Sequence, residues 1–258
     1  MARAATERAR GHLIVALDVP TAAEAHAIVE ELGDTVSFYK IGLILQLDRE
    51  FRSLLETLLE KQKDIFLDFK YIDIPATIEG AVRAASKLGI KFITVMGQSH
   101  IVKAADTGRL GSDLKILAVT LLTGMTERDM RIEYNTELTL ESFIKERAKK
   151  ASNMGCDGAI SSPNEVKLIR SVVKRDDFLV VTPGIRNKGA TPDDQKRTAT
   201  PYIAVLNGAD YLVVGRPIIQ MKHKWRAARD MIDEMASALE NPACLHRAAS
   251  LPVPAEVD

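Results

Sequence analysis

IFLDFKYIDIPATIEGAVRAASK, residues 65–87, changes character partway along. IFLDFK reads as an apolar strand, and the run from about Pro75 to Lys87 reads as a helix. Between them stand Asp68, Lys70 and Asp73, three charges within six residues of a buried-looking strand. Charges at a strand end are either solvated loop residues or part of a site. The surrounding chain decides between the two.

The same strand-then-helix unit recurs on both sides. HLIVALD (12–18) and VSFYKIG are the first two strands. Between them, AAEAHAIVEEL (22–32) has helical periodicity, with Thr21 as its N-cap. A helical run is predicted from about Leu47 to Lys63. After the third unit come KFITVM with a helix over 100–109, and LKILAVTLL with a loop and a helix ending near Asn153. GAISS is the sixth strand, and PNEVKLIRSVVK its helix, with Pro163 near the first turn. FLVVTPGI is the seventh strand, followed by the polar stretch NKGATPDDQKR. A helix over 199–207, the strand YLVVGR and a last helix from Pro217 to Leu239 complete the series.

Eight such units between residues 12 and 240 predict a single-domain α/β fold, a closed (β/α)₈ TIM barrel, over an open doubly wound sheet. Residues 1–11, with Arg3, Arg8 and Arg10 and no apolar core of a secretory signal, are expected to form a flexible arm. Residues 241–258, rich in proline, are expected to be an irregular tail.

Composition narrows the function. The 258 residues carry 35 basic and 35 acidic side chains, a formal net charge of zero. That balance gives no footprint for nucleic acid or an anionic membrane. Hydrophobic residues make up 46 %, ample for a core. No apolar run approaches the ~20 residues of a membrane span. Cys156 and Cys244 offer neither a disulfide framework nor a zinc spacing, which fits a cytoplasmic protein.

In a barrel of this kind, functional groups gather at the C-terminal ends of the strands. Strand one ends at Asp18, strand two carries Lys40, and strand three supplies Asp68 and Lys70. The period-2 alternation of a strand points Asp68 and Lys70 the same way. Neighbouring strands are about 5 Å apart, so the four charges are expected to share one mouth. Asp73 falls in the turn that opens the next helix. Any one of these residues alone reads as a turn, cap or surface group; their convergence does not.

Strands seven and eight end in TPGIR and VVGRPI, placing Gly184 and Arg186 beside Gly215 and Arg216. Backbone N–H groups at glycines and a guanidinium fork suit a phosphate monoester. Gln195 adds an amide donor, and the segment from Arg186 to Arg197 has the length of a closing lid.

Taken together, LDV at Asp18, FYKIG at Lys40, the D-x-K-x-x-D pattern of FLDFKYIDIPAT, TPGIR, DDQKR and GADYLVVGRPI resemble the orotidine 5′-phosphate decarboxylase family. The resemblance runs in order from about residue 12 to 238. It implies cofactor-free loss of carbon dioxide from orotidine 5′-monophosphate, giving uridine 5′-monophosphate in pyrimidine biosynthesis. Lys70, as an ammonium, would donate a proton to C6, with Asp68 close to the departing carboxylate. Asp18 and Lys40 would hold the ribose, and Arg186, Gln195, Gly215 and Arg216 the phosphate. Thr123 would contact the pyrimidine, with Thr126 as the rival. Asp73, Ile74 and Thr77 would reach into a neighbouring subunit, making the working unit a homodimer.

Two alternatives accompany this reading. The related 3-keto-L-gulonate 6-phosphate decarboxylases and hexulose-phosphate synthases share D-x-K-x-x-D but use magnesium, and typically carry a glutamate where Lys40 stands. A non-catalytic nucleotide-binding barrel would be expected to have lost one of the four charges. One departure from the family is TVMGQSH, where many members have a histidine near Met96 or Gly97.

Overall fold

The computed structural model describes residues 2–187 and 197–244. Eight parallel strands close into a barrel in sequence order: β1 (Leu13–Ala16), β2 (Phe38–Gly42), β3 (Asp64–Tyr71), β4 (Phe92–Met96), β5 (Lys115–Val119), β6 (Gly158–Ile160), β7 (Leu179–Thr182) and β8 (Tyr211–Val214). β8 pairs back onto β1 through Leu13 and Leu212.

Alternation along the strands sorts the core into two layers. Ile14, Phe38, Phe66, Phe92, Leu117 and Tyr211 are among the residues that fill the lumen. Phe92 packs edge-on against Phe38 and Tyr211, each at 5.0 Å between ring centroids, a favourable arrangement of aromatic quadrupoles. Residues of opposite parity, such as Leu13, Val15 and Tyr39, face the helices. The barrel is therefore a packed core, and its chemistry is confined to the rim.

The helices are α1 (Ala2–His12), α2 (Ala22–Leu32), α3 (Phe51–Glu60), α4 (Pro75–Lys87), α5 (Ser99–Gly108), α6 (Glu127–Tyr134), α7 (Leu140–Asn153), α8 (Val166–Val172), α9 (Pro201–Leu206), α10 (Arg216–Ile219) and α11 (Lys224–Leu239). Thr21 caps α2 by accepting from Glu24 N–H at 3.2 Å, as its sequence position predicts.

The elements differ from the sequence reading in five places. Residues expected to be a flexible arm form α1, which lies against α11 with Ala9 fully buried. The alanines of ARAATERA favour helix, and Glu7 pairs with Arg10 one turn on at 3.1 Å. The run expected from Leu47 is helical only from Phe51, because Asp48 accepts from the Glu50 and Ala22 N–H groups and sets the entry. The loop after β5 contains α6, started by a capping box between Thr126 and Asp129. The last predicted helix is two helices, with the Lys224 N–H of α11 donating to Glu31. Pro163 precedes α8 by three residues instead of lying in its first turn.

Candidate active site

The C-terminal ends of the strands open into a cavity of about 1110 Å³. Its wall includes Asp18, Lys40, Asp68, Lys70, Thr123, Arg186, Gly215 and Arg216. The four charges expected to share one mouth do so as a connected chain. Lys40 Nζ donates to Asp18 Oδ1 at 2.9 Å and lies 3.5 Å from Asp68 Oδ2. Lys70 Nζ donates to Asp68 Oδ1 at 2.9 Å. Two acids and two ammonium groups thus alternate across β1, β2 and β3.

The route by which Asp68 and Lys70 converge is not simple alternation. β3 pairs with β4 at Leu67–Ile93 and again at Tyr71–Val95, so three residues of β3 face the single residue Thr94. This bulge re-aims the side chains it contains. Within it, Lys70 adopts φ +51°, a left-handed backbone. For a residue with a Cβ that conformation costs about 1–2 kcal/mol and persists only where the surroundings impose it.

Burial pushes the Asp68 carboxyl up, but the charges of Lys40 and Lys70 oppose it. With hydrogen bonds from Lys70 and Thr94, they hold Asp68 below the usual carboxylate range. Asp68 is therefore an anion throughout the neutral range.

Close packing maintains the cluster. A Cβ on Gly42 would lie 3.0 Å from Asp18 Oδ1 and 3.2 Å from Lys40 Nζ, so any larger residue there would press on this ion pair. At Gly97, a Cβ would come within 2.9 Å of the Val119 carbonyl and 3.0 Å of Arg147 Nη2. Small size after β4 thereby accommodates an arginine absent from the sequence reading.

Thr123 stands in the cavity wall, whereas Thr126 is occupied as the N-cap of α6, accepting from Asp129 N–H. Across the mouth, Gly184 adopts φ +82° and turns the chain after β7, and the Arg186 N–H donates to Ala199 O at 3.0 Å. Gln195 and most of the segment read as a lid lie outside the described residues. Asp73, Ile74 and Thr77 are exposed and are not among the residues lining this cavity. The Asp73 carboxylate accepts from Ile74 N–H at 2.7 Å, just ahead of α4.

Two features escaped the sequence reading. Thr94, fully buried in the apolar strand FITVM, donates to Asp68 Oδ1 and accepts from the Lys70 N–H, both at 2.9 Å. A hydroxyl in an otherwise apolar strand was the available signal. Glu165, also buried, accepts from Ser161 Oγ at 2.8 Å and pairs with Arg197, which donates to Leu122 O. That network ties the ends of β5 and β6 to the chain following β7.

A (β/α)₈ barrel that gathers alternating acids and lysines from the ends of β1 to β3, and arginines from the ends of β7 and β8, around one cavity belongs to the class of barrel enzymes that carry their chemistry at the strand ends. Comparison with known proteins narrows the class. Residues 11–231 match the model of the Orotidine 5′-phosphate decarboxylase / HUMPS family. The chain is 45 % identical over 225 residues to the orotidine 5′-phosphate decarboxylase of Ruegeria pomeroyi, covering 87 % of this chain and 94 % of that protein. It is 46 % identical to that of Jannaschia sp., covering 85 % and 96 %. The crystal structure of orotidine 5′-phosphate decarboxylase from Lactobacillus acidophilus superposes with a TM-score of 0.76 at 35 % identity, covering 88 % of this chain and 99 % of the other. The chain belongs to the orotidine 5′-phosphate decarboxylase / HUMPS family.

Proposed function

We propose that this protein decarboxylates orotidine 5′-monophosphate to uridine 5′-monophosphate and carbon dioxide, the reaction named for its curated relatives, in pyrimidine biosynthesis. The observation that carries the reading is the ammonium of Lys40 between Asp18 and Asp68. A positive charge there repels a divalent cation, which disfavours the magnesium-dependent branch of the same family.

In this mechanism the bond from C6 to the carboxylate breaks and its electron pair remains on C6. Carbon dioxide leaves, and Lys70 passes one ammonium proton to C6 before regaining a proton from solvent. The ammonium of Lys70 also stabilises the carbanion as it develops, so no electron-sink cofactor is needed. Asp68, held as an anion, crowds the substrate carboxylate and is relieved as carbon dioxide departs. Asp18 and Lys40 bind the ribose hydroxyls, and Thr123 the pyrimidine. Arg186, Arg216, the Gly215 backbone and Gln195 take the phosphate, whose binding energy, remote from the reacting bond, is used for catalysis. Asp73, Ile74 and Thr77 complete the cavity of a second copy, and the homodimer works in the cytoplasm. No helix among the described residues is long and apolar enough to cross a membrane.

The deciding experiment is turnover of orotidine 5′-monophosphate, followed by absorbance, in excess EDTA. Undiminished turnover is expected. Loss restored by magnesium would place the protein in the metal-dependent branch. In the same assay, Lys70→Ala is expected to bind the nucleotide while turnover falls by at least roughly 10³-fold. Near-normal turnover would remove Lys70 as the proton donor.

A further inference from the structure

The bulge in β3 needs something to hold it, because its residues leave the regular ladder with β4. Thr94 is the residue opposite, and its hydroxyl joins the two ends of the bulge. It donates to the Asp68 carboxylate at 2.9 Å and accepts from the backbone N–H of Lys70 at 2.9 Å. One oxygen thus replaces a missing ladder bond at Lys70 and restrains the acid that Lys70 contacts. The same Asp68 oxygen receives Lys70 Nζ, so Thr94, Asp68 and Lys70 form a closed ring of hydrogen bonds. Thr94 is fully buried and has no place among the residues lining the cavity.

We propose that Thr94 is a positioning residue for the decarboxylation. Its hydroxyl fixes the left-handed backbone of Lys70 and the carboxylate of Asp68 so that ammonium and acid meet the substrate in one geometry. This rests on the activity proposed above. Valine keeps the shape and loses both hydrogen bonds; serine keeps the hydroxyl. Without the donor, Asp68 retains only its cationic neighbours, Lys40 from β2 and Lys70 from β3, with Asp18 of β1 competing for Lys40. Its carboxyl should then titrate at higher pH.

The test compares wild type, Thr94→Val and Thr94→Ser by steady-state kinetics and by ¹³C-carboxyl titration of Asp68 in the free protein. In Thr94→Val, kcat is expected to fall by roughly 10²-fold, with KM changed by less than about threefold, as a displaced catalytic group predicts. The Asp68 titration should move upward. Thr94→Ser should restore both to near wild type. Wild-type kcat and titration in a folded Thr94→Val protein would overturn the proposal, as would a loss that serine does not rescue. If wild type fails to turn over orotidine 5′-monophosphate while the Asp68 titration still moves in Thr94→Val, the activity is misassigned and the catalytic part of the proposal falls with it, leaving only the restraint of Asp68 by Thr94.

Discussion

Lys40 Nζ lies 2.9 Å from Asp18 Oδ1, joining the ends of the first two strands of the barrel. The same ammonium faces Asp68 at 3.5 Å, so one cation serves two acids. Replacing it by methionine leaves Asp68 short of one of the charges that offset its burial. Lys40→Met is expected to lower kcat/KM by roughly 10²-fold and to destabilise the fold by about 1–3 kcal/mol at pH 7. Asp68 is held below its unfolded value, so its contribution is present above that value and is lost as pH falls. The stability gap between wild type and variant should therefore be widest at neutral pH and narrow below about pH 4. Denaturant melts from pH 7 to pH 3 test this; a gap that does not change with pH would count against it.

His12, at the opposite end of the barrel, sets a second pH dependence. It stacks on Tyr211 at 4.5 Å between centroids, with Nδ1 2.8 Å from Asp210 O. Burial pushes its pKa down to about 4; the contact with Asp210 O opposes this, while Arg8 and Lys91 add to it. The unfolded chain binds a proton that the folded chain refuses between about pH 4 and 6.5. Stability from neutral His12 is thus complete above 6.5 and is lost as pH falls toward 4. His12→Phe keeps the stacking and removes the titration. The stability of wild type relative to this variant should rise by roughly 3 kcal/mol from pH 4 to 6.5. A flat difference would show that His12 accepts its proton in the folded state.

Assembly provides a third test. Ile72 and Ile74 are 61 % and 66 % exposed beside Asp73, an apolar surface that a second copy would cover. Sedimentation is expected to give a dimer, and Ile74→Asp to shift it toward monomer with a parallel loss of activity. A fully active wild-type monomer would remove the shared-site reading.

Much of the site was legible because its residues sit at strand ends that local pattern reveals. Asp18, Lys40, Asp68 and Lys70 reach one cavity, and Arg186 and Arg216 line it, at positions read directly from strand-end motifs; Thr123, also in its wall, was named through the family resemblance, with Thr126 as its rival. Thr94 was not legible: a threonine in a strand reads as filler until its neighbour's backbone is known. The α6 capping box was present as Thr126 and Asp129, but its helix is short and polar and buries only Met130. Helix α1 was hidden because its arginines suggested solvation, whereas its docking against α11 depends on residues more than 200 positions away.

By itself, the sequence determined the eightfold strand–helix alternation and the strand ends that carry charge, because periodicity and turn chemistry are properties of adjacent residues. Tertiary structure alone decided that Asp68 and Lys70 converge through a bulge with a left-handed lysine, braced by a hydroxyl from the next strand. Such a conformation is unfavourable locally and exists only because contacts between distant segments hold it in place.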